Sequence, residues 1–215
     1  WGSAVEVPKQ VRSLVDAERL EDLKTWRRNI TKTPTTAQTK RMTALARRVE
    51  VLWELTLRRL RVAEAEASRR IDLWGRQAQA DAGSTVSRED IEAYLAAPGS
   101  AYRRLRLVMD VWCALWYWPL TTEVRPPSLD EWLGALEGLL GIAGKAGPTD
   151  AATFADATVW DELEQAEEMD LGFAGARAVD SVIEEHEWLT VVRDVAQAQG
   201  FFHWELDFAT VFARG

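Results

Sequence analysis

Residues 45–76 read LARRVEVLWELTLRRLRVAEAEASRRIDLWGR, and two periods run through them. Leu45, Val49, Leu52, Thr56, Leu60, Ala63, Ala67, Ile71 and Trp74 step by 4, 3, 4, 4, 3, 4, 4 and 3 residues. That mean step is the period of a straight α-helix and gathers these side chains into one stripe. Overlaid on it is a repeat of 11 residues: Arg47-Arg48-Val49, Arg58-Arg59-Leu60 and Arg69-Arg70-Ile71. An 11-residue spacing keeps equivalent positions on nearly one side of a helix, so three arginine pairs should stand roughly 16 Å apart along it. The reading is one long helix over about 34–76, with the arginines facing away from the apolar stripe.

Working outward, Thr33 and Pro34 suit a helix start, because a threonine oxygen can accept orphan N–H groups and proline at the first helical position loses no hydrogen bond. Upstream, Val11, Leu14, Val15, Leu20, Leu23 and Trp26 alternate with charges and predict an amphipathic helix near 8–28. Downstream, Ser87 with Asp90 and Ser128 with Glu131 form capping-box patterns opening helices at 88–97 and 129–140. Ser100 can cap a helix from 101 to 118 that Pro119 stops. Its second half carries Trp112, Trp116, Tyr117 and Trp118 and is apolar almost all round, which predicts the centre of the core.

Gly141 to Pro148 reads as a flexible connection, followed by helices at 150–169 and 176–199, the second closed by Gly200. The aromatic tail Phe201-Phe202-His203-Trp204-Glu205-Leu206-Asp207-Phe208 breaks the helical period and suggests an extended or strand segment. The expected fold is mainly α: a helical bundle with one long helix at about 34–76 and a short extended or strand segment at the C-terminus. Its expected parts are a helical region 1–140, a connection 141–148, an acidic helical segment 149–200 and an extended segment 201–215.

Charge divides the chain. Residues 1–110 hold 21 Lys/Arg against 15 Asp/Glu, and residues 111–215 hold 5 against 19. The halves can attract one another, or the basic half can meet a polyanion. A single cysteine, Cys113, cannot form an internal disulfide, no leader pattern opens the chain, and a reducing cytoplasm is the expected location. The most apolar run, Leu107 to Trp118, includes Asp110 and falls short of the about 20 residues needed to cross a bilayer. No membrane partner is expected.

No glycine-rich phosphate loop, metal-spaced His/Cys cluster or nucleophile elbow is present, so neither a catalytic nor a metal site is expected. His186, His203 and Cys113 read as structural. Arg47, Arg48, Arg58, Arg59, Arg69 and Arg70 are the candidate DNA-contacting residues, since regularly spaced guanidinium groups can follow a phosphate backbone. Glu54 before Arg58, Glu66 before Arg70 and Asp72 before Arg76, each by four residues, instead suit a solvated face of ordinary ion pairs. Docking of the arginines against the acidic half or a partner is the third reading.

Two stretches carry a resemblance. Residues 102–120, YRRLRLVMDVWCALWYWPL, resemble a "D-x-W-C-A-x-x-W-P" stretch in large bacterial adenine-specific DNA methyltransferases. Residues 201–215, FFHWELDFATVFARG, resemble the "F-H-W-x-L-E-F-P-E-V-F-x-x-G" stretch of that family, with Ala209-Thr210 in place of its Pro-Glu. Those enzymes belong to type IIG-like restriction-modification and DISARM-like phage-defence systems. In them the second stretch leads into the strand bearing the Asn-Pro-Pro-aromatic motif that grips a flipped adenine. The resemblance implies a noncatalytic helical spacer or insertion, structural or DNA-positioning, that holds no cofactor itself. S-adenosylmethionine is implied for the parent protein, and the remainder of the methyltransferase chain and duplex DNA are the implied partners. The alternative is a helical protein–protein interaction module that pairs through the 11-residue-repeat helix.

Overall fold

The computed structural model describes residues 16–69, 86–119, 123–142 and 159–213, and these form helices with no strand among them. The first helix, α1 (Ala17–Ile30), is capped by Asp16, whose carboxylate accepts from Glu18 N at 2.9 Å. Glu18 lies in its first turn and Arg27 and Arg28 in its last, matching the helix dipole. The long helix α2 (Thr36–Arg69) starts two residues later than Thr33-Pro34 suggests. Thr35 and Gln38 cap it reciprocally, Gln38 N donating to Thr35 Oγ1 and Thr35 N to Gln38 Oε1.

Helices α3 (Arg88–Ala96), α4 (Ala101–Ala114) and α5 (Leu129–Leu140) begin at the expected Ser87, Ser100 and Ser128 caps. After them come α6 (Trp160–Phe173), α7 (Val179–Glu185) and α8 (Trp188–Gln199). The single helix expected over 176–199 is broken at His186, which leaves the helical region at φ −120°, ψ 79°. Gly200 closes α8 in the left-handed conformation. The tail is not extended: it makes two helical turns, α9 (Trp204–Asp207) and α10 (Ala209–Phe212). Their start is stabilised by Asp207, whose Oδ2 accepts from His203 N at 3.0 Å, a local carboxylate–backbone bond of the kind that favours helix starts.

Helix α2 packs against α4, α5 and α6, and α4 also packs against α8. One apolar cluster runs from Leu45 and Leu52 through Leu105, Val111, Leu133 and Leu139 to Val182, Leu189, Val192 and Leu206. Residues from before 141 and after 158 therefore share a core, while 143–148 of the expected connection lie outside the described residues.

Helix α4 lies in this core as expected, but Trp112 and Trp116 do not. The helix ends at Ala114, and its inward face is Ala101, Arg104, Leu105, Val111 and Ala114. Trp112 is 56% exposed, Trp116 and Tyr117 are exposed as well, and only Trp118 of the aromatic run is buried. An apolar run need not be a buried run, because large aromatic side chains on the far side of an amphipathic helix stay exposed. Among the described residues no helix is long and apolar enough to cross a membrane.

Candidate functional site

Two of the six arginines read as DNA-contacting point inward. Arg48 and Arg59 are each 2% exposed, among Leu45, Leu52, Leu55 and Thr56 of the same helix. The 11-residue spacing does place them on one side of α2, but that side is the buried one. Arg48 donates through both terminal nitrogens to the carboxylate oxygens of Asp170 on α6, at 2.9 and 2.5 Å, and through Nε to Leu140 O at 3.0 Å. This forked geometry is the strongest form of carboxylate–guanidinium bonding.

Arg59 is held differently. Its guanidinium lies between the rings of Tyr94 and Trp160, 3.7 and 4.1 Å from their centroids. Glu164 and Glu167 approach at 3.5 and 3.6 Å. Two of its nitrogens, Nε and one terminal amine, find no hydrogen-bond acceptor among the described residues; the aromatic faces add their attraction to that of the two carboxylates.

Glu167 ties four elements together. It accepts from the backbone N–H of Ala101 at the start of α4 at 2.7 Å and from the Tyr94 hydroxyl at 3.1 Å, beside Arg59. Burial raises its pKa above the ordinary 4.5, with the Ala101 N–H and the Arg59 charge partly opposing the rise. The folded chain therefore takes up this proton more readily than the unfolded chain, and the group's contribution to stability is greatest near and below pH 4.5 and declines as pH rises through the folded value. In urea unfolding, the stability of the parent relative to Glu167→Gln should fall as pH is raised from 4.5 towards neutrality. A difference independent of pH would contradict this.

The remaining candidates are scattered. Arg47 is exposed, and Arg58 pairs with Glu54 at 2.8 Å, as the four-residue spacing suggested. Arg69 is the last residue of α2, while Arg70 and the expected Asp72–Arg76 pair lie outside the described residues, as do the side chains of Glu66 and Arg69. No continuous arginine face is assembled from the described side chains. The inward pair instead joins the basic half to the acidic α6, the docking arrangement that charge asymmetry had offered as one of three readings.

Sequence reading missed two further arginines, both on α4. Arg104 is buried and donates to the carbonyls of Gly99, Leu139 and Arg177 at 2.8, 2.6 and 2.9 Å. Its positive charge thus sits at the C-terminal end of α5, where the helix dipole is negative. Arg106 donates to Asp207 Oδ1 at 2.9 Å and to Phe201 O at 3.0 Å. Tyr102 donates its hydroxyl proton to the same Asp207 oxygen at 2.9 Å.

Beside them, His203 Nε2 lies 2.7 Å from Asp110 Oδ1, with His203 only 4% exposed. The aromatic tail is thereby fastened to α4 through Arg106, Tyr102 and Asp110, and Tyr117 packs on Phe201 with ring centroids 5.5 Å apart. Its other face displays Phe202, Trp204 and Phe208, all exposed and in mutual ring contact. One helix-spaced signal could have found these contacts: Tyr102, Arg106 and Asp110 recur every four residues along one side of α4.

Nothing here resembles an activated nucleophile. Burial, then the nearby Asp110 charge, raises the Cys113 thiol rather than lowering it. Among the described residues no group of three or more His, Cys, Asp or Glu side chains could hold a metal ion. The described residues form a helical bundle clasped by inward arginines, with a displayed aromatic tail. No family model, no curated protein and no solved structure matches the chain.

Proposed function

We propose that this chain is a noncatalytic helical segment of an S-adenosylmethionine-dependent, adenine-specific DNA methyltransferase of a restriction-modification or phage-defence system, residing in a reducing cytoplasm. Its role is structural: it sets the position of the aromatic tail against α4. The observation that supports this reading is the contact between the two stretches that carry the resemblance. Asp110 of the first meets His203 of the second at 2.7 Å, and Arg106 meets Asp207 at 2.9 Å. Polar residues far apart in sequence satisfy one another, so the two stretches act as one unit.

A structural role is favoured over DNA positioning because Arg48 and Arg59 are committed to internal carboxylates and rings. It is favoured over a pairing module because the apolar face of α2 is covered by α4, α5 and α6. The described helices include no glycine-rich turn between a strand and a helix, the cradle on which S-adenosylmethionine would rest. That cofactor is assigned to the rest of the parent protein.

The native gene provides the direct test: its codons after Gly215 should encode an Asn-Pro-Pro-aromatic motif, and a frame without one removes the family. Titration calorimetry of the 215-residue chain with S-adenosylmethionine should show no binding, whereas stoichiometric micromolar binding contradicts a noncatalytic segment. In the parent enzyme, Asp207→Ala should lower the methylation rate about tenfold by releasing the tail, with cofactor affinity unchanged.

A further inference from the structure

We propose that the displayed face of the aromatic tail is a two-fold contact surface, and that its occupant is the same face of a second copy of this chain. The inference does not depend on the methyltransferase reading. Phe202, Trp204, Phe208, Val211 and Phe212 of the tail, with Tyr117 just beyond α4, are between 44% and 63% exposed. They adjoin one another. The ring centroids of Phe202, Trp204 and Phe208 lie 5.0–5.7 Å apart. Phe212 N donates to Phe208 O one helical turn back, and Tyr117 packs on Phe201 beside Phe202.

Area and charge together select the occupant. A whole aromatic side chain offers roughly 150–250 Å², so these half-exposed side chains leave roughly 500–600 Å² of apolar surface on one copy. Exposed patches of that size on a monomer are often functional. Two such faces together would bury roughly 1,000–1,200 Å², the threshold of a specific but weak protein contact. The polar groups of the tail are meanwhile turned inward. Asp207 accepts from Arg106, Tyr102 and the His203 N–H, and His203 lies against Asp110.

Within 201–213 the exposed charged side chain is Glu205. A polyanion or a strongly charged peptide therefore finds little to pair with on this face. Glu205, with the 19 Asp/Glu of residues 111–215, also repels an anionic bilayer. An aromatic face pairs well with another aromatic face, since their rings can meet edge to face or offset. A two-fold axis supplies that second face from the same sequence, and two-fold dimers are the commonest assembly of soluble chains.

Sedimentation equilibrium of the 215-residue chain should show monomer and dimer exchanging with a midpoint of about 10–100 µM. Because the contact is apolar, raising salt from about 0.1 to about 1 M should leave it in place or strengthen it. Trp204→Glu, at the most exposed of these positions, should weaken dimerisation at least about tenfold. Met169→Glu, at an exposed position on α6, should leave it unchanged, and both variants should keep the parent's circular dichroism spectrum. Mixing tests the symmetry. Since patch meets patch, fluorescently labelled parent should bind the Trp204→Glu variant at least about fivefold more weakly than it binds unlabelled parent.

A chain that stays monomeric up to about 1 mM overturns the proposal, as does a dimer that dissociates in salt or one that Trp204→Glu leaves intact. Full-strength binding of labelled parent to the variant means that the patch meets some other surface of its partner, which removes the two-fold contact. Uptake onto phosphatidylcholine vesicles without self-association assigns the face to a lipid surface and likewise overturns it.

Discussion

Asp170→Ala is expected to destabilise the chain by about 3–5 kcal/mol, because it strips the partner from a guanidinium that cannot reach water. The Arg48 and Asp170 side chains are 3% and 2% exposed. Among the described residues, Arg48 then keeps Leu140 O as its acceptor once the carboxylate is gone. Urea unfolding followed by circular dichroism measures the loss. A surface ion pair would contribute no more than about 1 kcal/mol, so the magnitude itself distinguishes the two situations. The double variant Arg48→Met, Asp170→Leu should recover much of the stability, since well-packed apolar residues can replace a buried pair at little cost. A single variant within about 1 kcal/mol of the parent, or a double variant no better than the single, would show that the pair is not buried as described.

Gly141→Ala carries the second large effect, for reasons of backbone and space together. At φ 79°, ψ −179° Gly141 occupies a region essentially reserved for glycine. A Cβ placed there would lie 2.5 Å from the Cβ of Ala174 and 2.8 Å from its carbonyl oxygen. That oxygen also accepts from Ile142 N at 2.9 Å, so moving it aside breaks the bond joining the end of α5 to the end of α6. Strain and overpacking are each of order 1–3 kcal/mol, and a combined loss of about 3 kcal/mol or more is expected in thermal or urea unfolding. Gly175→Ala is the informative control: φ is positive there too, at 69°, but nothing stands within 4 Å of the added carbon. Equal losses at the two positions would mean that the close approach to Ala174 has no role.

Local signals in the sequence were the most legible part of this fold. The serine caps at Ser87, Ser100 and Ser128 open helices where expected, because capping depends on a few adjacent residues and a fixed geometry. The register of the long helix was legible as well, since Leu45 and Leu52 of its apolar stripe are buried. What could not be read was which polar residues share that stripe. Helical period alone assigns Arg48 and Arg59 to a side, and chemical type then argued for water. The partners that reverse the argument, Asp170, Glu167, Tyr94 and Trp160, come from distant parts of the chain.

The tail failed for a related reason. Its aromatic content and broken helical period suggest an extended segment, whereas Asp207 accepts from the His203 backbone and from Arg106 and Tyr102 of α4, favouring a helical turn. Trp112 and Trp116 show the limit of reasoning from hydropathy. They are apolar, adjacent to the core and yet exposed. Of the candidate site, the four-residue spacing of Tyr102, Arg106 and Asp110 along α4 is open to reading in the sequence, whereas the meeting of these residues with His203 and Asp207 depends on tertiary packing.

The arginine clasp has a consequence for the order in which the chain assembles. Arg48 must wait for a carboxylate 122 residues away, and closing so long a loop is slow compared with forming α2 itself. Until α6 arrives, two cations line the surface on which the apolar core must close, and their water is held in place. The helices before Gly141 are therefore expected to form early as fluctuating secondary structure but to consolidate only when the acidic helix docks. During synthesis that event comes after α6 has emerged, so the N-terminal two-thirds of the chain cannot complete its packing ahead of the rest.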